Sequence, residues 1–306
     1  MGPVQAIMAR PPRRRGGGLP LAAPLVPGRR AMNASRPDEH RDAEREAKTH
    51  STPHGTIVYR TVRQEGELEL VRGSRELAWS GLAAGLSMGF SMVGEGLLRA
   101  HLPDTVWSPL IVNFGYSLGF LIVILGRQQL FTENTLTVIL PLLTRRDASH
   151  VRNVARLWIT VLLSNLAGAL LFAMAAQTVA FDDGVQYAFL RIGEESLRGS
   201  FGATLVRGVF AGWLIALMVW LLPFAESARV WVIIILTWLV GLGAFSHVIA
   251  GAIPVMYLSL GHHIAWTECF GSYIIPALIG NIIGGVALVA ALNHAQVVAG
   301  GHGEDL

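Results

Sequence analysis

The chain has 306 residues, is 52% hydrophobic and only 15% charged, and has a mean hydropathy of +0.47. A soluble domain is usually about 25% charged, so this composition excludes an ordinary water-soluble enzyme and puts most of the chain in a bilayer. Basic residues gather at the start, where residues 1–75 hold Lys48 and 13 arginines, a pattern of a solvated tail beside a membrane rather than of a nucleic-acid surface.

Residues 1–55 are rich in Arg, Pro, Gly and Ala and lack periodicity. They are expected to be a disordered cytoplasmic tail. Met32 is an alternative start. The stretch RPPRRRGGG has the charge of a signal peptide but no clean apolar region after it. Residues 56–76, with EGELELVRGSRELAW, read as an amphipathic segment leading into the membrane. Residues 77–295 read as an all-α membrane domain, and 296–306 as a short cytoplasmic tail.

Six spans follow, each near the roughly 20 apolar residues that a bilayer core demands. They are placed at 77–98, 108–143, 154–180, 200–223, 229–260 and 272–293. Between the second and third, TRRDASHVRNVAR carries four arginines. Between the third and fourth, FDDGVQYAFLRIGEES carries Asp182, Asp183, Glu194 and Glu195. Positive residues stay inside, so both termini are expected in the cytoplasm of a cell whose inner membrane holds the protein.

The second and fifth spans are too long, and each has a polar centre. LIVILGRQQLFTENTLTVILPLL holds Arg127, Gln128, Gln129, Thr132, Glu133 and Asn134; the other is broken around GLGAFSH. SNLAGALL in the third span echoes GNIIGGVAL in the sixth. Thr132 to Asn165 and His247 to Asn281 are similar offsets, which suggests two copies of a three-span unit in opposite orientations. Broken helices at matching places in such repeats point to a site near the bilayer midplane. Irregular backbone there must be buried in protein or line a wet cavity. Thr132 and His247 are thus candidates for one pathway, with a hydroxyl and an imidazole at its centre. Asn165 and Asn281 read as structural supports of the breaks. Cys269, the one cysteine, excludes an intrachain disulfide, and no metal-ligand or cofactor spacing appears.

Leu130-Phe131-Thr132, Phe245-Ser246-His247-Val248 and IPALIGNIIGG, Ile275 to Gly285, resemble the formate/nitrite transporter family over about residues 70–295. The resemblance implies an aquaporin-like protomer with an inverted 3+3 repeat, a homopentamer with one pore per subunit, and passage of small monovalent anions. It also implies that Leu130 and Phe131 form a hydrophobic constriction and that Phe245 lies on the substrate path. The lining departs from the family. The family's lysine in the fourth span is absent, its asparagine there falls on Gly212, and the asparagine after the histidine is Gly251. Ser246 stands in place of a glutamate in the fifth span, and Gln129 in place of another in the second.

Arg127 and Arg207 are the candidates to replace that lysine as anion attractor. The plainer reading is an ion pair, for example Arg207 with Glu95. In the expected mechanism an anion loses water in the constriction, Thr132 and His247 supply donors, and His247 or its water lends a proton. Rival readings are a non-conducting scaffold or sensor and a neutral-solute channel; the lack of paired Asn-Pro-Ala motifs weighs against the latter.

Overall fold

A computed structural model describes residues 55–145 and 147–299. Expectations for the N-terminal tail up to residue 54 and for residues 300–306 lie outside the described residues. The first helix, α1 (Gly55–Val71), buries Tyr59, Val62, Gly66 and Leu70. Their spacing of three or four residues makes one helical face, and that face packs on the protein itself. The Tyr59 hydroxyl is bonded to His294 Nδ1 at 2.7 Å and to Thr144 Oγ1 at 3.3 Å.

All described regular structure is helical: α2 (Ser74–His101), α3 (Ser108–Leu125), α4 (Asn134–Thr144), α5 (Ala148–Ala176), α6 (Asp183–Ser196), α7 (Phe201–Leu221), α8 (Arg229–Leu242), α9 (Ala252–Leu260) and α10 (Trp266–Gln296). Among the described residues five helices are long and apolar enough to cross a membrane: α2, α3, α5, α7 with its 3-10 extension to Phe224, and α10. The predicted 229–260 span divides into α8 and α9 instead. Likewise α3 and α4 are the two parts of the predicted 108–143 span. Long α10 contains π turns over Cys269–Ile274 and Ile283–Ala291.

Helix starts follow local chemistry. Asp147 accepts from the Ser149 and His150 amides to cap α5, Asp182 caps α6 through Val185 and Ser200 caps α7 through Ala203; each satisfies amides that have no partner within the helix. The Ser149 hydroxyl and His150 amide hold the Asp147 carboxyl well below the usual carboxylate range. Leu102 ends α2 because Pro103 follows it.

Glycines set the close contacts. A methyl group at Gly85 would collide with the Asn165 carbonyl, and one at Gly212 with the Asn281 carbonyl. α2 and α5, like α7 and α10, therefore meet backbone to backbone, as small residues permit inside membranes.

Candidate substrate pathway

Each interrupted segment leaves its helix in the same way. After α3, Gly126 and then Arg127 close the helix, with Arg127 at φ +50°; after α8, Gly243 and then Ala244 do so, with Ala244 at φ +49°. A left-handed residue just past a helix end is usually glycine. Holding a residue with a side chain there costs roughly 1–2 kcal/mol. The amides of Gln128 and Phe245 then donate back to the Val123 and Val240 carbonyls.

Two asparagines hold the freed backbone. Asn165 Oδ1 accepts from the Phe131 amide, and Asn165 Nδ2 donates to the Gly81 and Gln129 carbonyls. Asn281 Oδ1 accepts from the Val248 amide, and Asn281 Nδ2 donates to the Gly208 and Ser246 carbonyls. Both side chains are fully buried. Phe131 is thus equivalent to Val248 and Leu130 to His247. The sequence offsets equated Thr132 with His247, which is two residues out of step. The hydrogen bonds decide it, because each asparagine grips one particular amide.

The segments meet at Thr132 and His247. Thr132 Oγ1 lies 2.8 Å from His247 Nε2, and both residues have no exposed surface. His247 Nδ1 accepts from the Ile249 and Ala250 amides at 3.3 and 3.1 Å. That fixes the neutral tautomer: Nδ1 bears the lone pair, Nε2 bears the hydrogen. Nε2 accordingly donates to Thr132, whose own hydroxyl hydrogen is left for another acceptor. Phe120 meets the imidazole edge-on, with ring centroids 5.0 Å apart.

Leu130 and Phe131 are buried beside this contact, Phe131 also packing on Trp158. Phe245 stacks on Phe210 of α7 at 5.2 Å. Arg127 is exposed and lines a cavity of about 430 Å³ with Arg72, Glu69, Gln128, Glu133 and Arg229. No ion pair holds its guanidinium among the described residues. Gln129 Nε2 donates to Glu69, and its Oε1 accepts from Asn134 Nδ2. Arg207 does not pair with Glu95: its Nη1 donates to the Arg198 carbonyl, at the start of α7. Arg198 lies only nine residues before it, so the guanidinium is held by its own helix entrance.

Sequence reasoning missed Tyr116 and Tyr273. The Tyr273 hydroxyl donates to the His247 carbonyl at 3.3 Å. A methyl group at Gly251 would collide with that hydroxyl. The signal was Gly251 itself, since a glycine next to a polar centre leaves room that another side chain must fill.

Residues 56–295 match the family profile described as formate/nitrite transporter. The chain belongs to the formate/nitrite transporter family. It is a membrane transporter or channel and not an enzyme. The inner membrane protein YfdC of Escherichia coli (strain K12) is 39% identical over 241 residues, spanning 78% of each chain. The formate channel BtFdhC of Bacillus thuringiensis is 24% identical over 251 residues, 76% of this chain and 94% of that one. Among solved structures, a pentameric formate channel with formate bound is 20% identical, with a TM-score of 0.60 over 74% of this chain and 98% of its own. An ion channel of the same family gives 0.67 at 15% identity, over 79% of this chain and 99% of its own. These two likenesses concern the fold.

Proposed function

We propose that this protein passes a small monovalent weak-acid anion, of the formate or nitrite kind, across the inner membrane through a constriction centred on Thr132 and His247. The observation that carries this reading is the 2.8 Å contact between those side chains at the meeting of two interrupted segments. Matched asparagine clamps support an inverted 3+3 repeat of the aquaporin-like type with six spans. On this reading residues 77–295 form the conducting unit, Arg-rich segments and both termini face the cytoplasm, and five copies assemble with one pathway each. The pentameric neighbour and the exposed apolar helix faces, among them Phe114, Trp213 and Trp231, support that assembly.

Arg127 faces the inner vestibule and draws the anion there, while Arg207 does the same at the outer mouth. Leu130 and Phe131 then exclude water. A bare anion in apolar surroundings is unfavourable, and the compensating donor is the Thr132 hydroxyl, oriented by His247. Because His247 Nδ1 already accepts two amides, the imidazole acts here as a fixed donor. It does not need to release its proton.

The test is uptake into proteoliposomes of a panel of weak-acid anions at two pH values, with glycerol as neutral control. Anion uptake without glycerol uptake is expected. Uptake of neither would favour a non-conducting scaffold, and uptake of glycerol alone a neutral-solute channel.

A further inference from the structure

On the proposed topology an acid and two phenols lie toward the outer ends of their helices, Glu95 on α2, Tyr116 on α3 and Tyr273 on α10. Tyr116 lies one turn from Phe120 on α3, with ring centroids 5.3 Å apart, and Phe120 in turn touches His247. From α10, Tyr273 reaches the backbone of the same histidine. Glu95 on α2 lies within electrostatic reach of both phenols. The α2 backbone at Gly94 and Glu95 presses on Gly115, the residue before Tyr116.

Glu95 has no salt bridge among the described residues. Arg99, one turn further on, is engaged by Glu195 at 2.8 Å. The charged and titratable groups that face Glu95 are Arg99 on its own helix, Glu195 on α6, Tyr116 on α3 and Tyr273 on α10. A carboxyl group at this depth without a bonded cation is a functional candidate. When ionised it repels an incoming anion. When protonated it offers that anion a hydrogen bond beside two phenolic hydroxyls. His247 cannot take the same part while two amides occupy its second nitrogen.

We propose that Glu95, flanked by Tyr116 and Tyr273, is the proton-binding site of the outer half of the pathway, and that the anion passes when this carboxyl carries a proton. The proton comes from bulk water at the outer mouth to a carboxylate oxygen and returns there after passage; no other bond is made or broken. This inference rests on the anion-channel reading.

The test combines formate uptake into proteoliposomes at about pH 5 and about pH 9, a span wider than the ordinary histidine range, with an infrared titration of the carboxylic C=O band in the same vesicles. Wild type is expected to take up formate several-fold faster at the lower pH. Glu95→Gln should bring that ratio to near one and lack a titrating carboxylic band that wild type shows. Tyr273→Phe, which keeps the ring, should shift the band's midpoint and the uptake profile together. A wild-type ratio in Glu95→Gln, or the same carboxylic bands in both proteins, would overturn the proposal. Wild-type vesicles that take up no anion while the band still titrates would overturn the channel reading and support the proton site, so the two failures are distinct.

Discussion

Asn165 and Asn281 grip the two interrupted segments with the same three hydrogen bonds, one accepted from a freed amide and two donated to carbonyls on either side. Removing either side chain strands several buried backbone groups at once. Each stranded group costs about 1–3 kcal/mol. Asn165→Ala and Asn281→Ala should each lower the melting temperature of the detergent-solubilised protein clearly, and by similar amounts. A variant with the wild-type melting curve would show that its segment is held in another way.

Among the described residues Arg127 has a guanidinium without an ion pair, beside a cavity that also holds Gln128 and Glu133. If it attracts the anion through its field, Arg127→Gln should raise the apparent KM and weaken the salt dependence of uptake, since screening acts over about 10 Å at 0.1 M salt. Arg127→Lys should recover part of the loss. Uptake kinetics at low and high ionic strength check this, with size-exclusion chromatography confirming an unchanged oligomer.

His247→Phe keeps an aromatic shape beside Phe120 but loses the donor that orients Thr132. The lost bond joins two neutral groups and is worth about 0.5–1.5 kcal/mol, which is roughly two- to tenfold in rate. Uptake should fall by that factor with the oligomer retained. An unchanged rate would make the histidine a packing residue.

Asp147 gives a pH dependence whose sign can be worked out. Its carboxyl is held below the usual range by Ser149 and His150 in the folded chain. A depressed carboxylate contributes stability that is present above its unfolded pKa, about 3.9, and is lost as pH falls toward the folded value. The melting-temperature gap between wild type and Asp147→Ala should therefore be constant near neutrality and close in acid. A gap that widens on acidification would contradict the cap.

Much of this architecture was legible because a bilayer constrains sequence so strongly. Polar runs inside apolar stretches marked both interruptions, and the repeated Asn-Gly spacing marked Asn165 and Asn281. The register between the two halves was not legible. Thr132 and His247 draw attention as side chains, whereas the equivalence is fixed by the amides of Phe131 and Val248, which carry no sequence signal. The suggested Arg207–Glu95 pair is absent among the described residues for a related reason: an intramembrane cation suggests an acidic partner, yet a long side chain near a helix start can reach backbone carbonyls such as that of Arg198. Tyr273 stayed hidden because only the folded chain brings it against Gly251.

The central claim is that an anion passes where Thr132 meets His247. Thr132→Val tests it most directly, because it keeps the branched shape and removes only the hydroxyl. Formate uptake by proteoliposomes of this variant, measured beside wild type at equal oligomer content, should fall about 10-fold or more, as the loss of one hydrogen bond to a charged group implies. Uptake equal to wild type would contradict the account and move the pathway away from this contact.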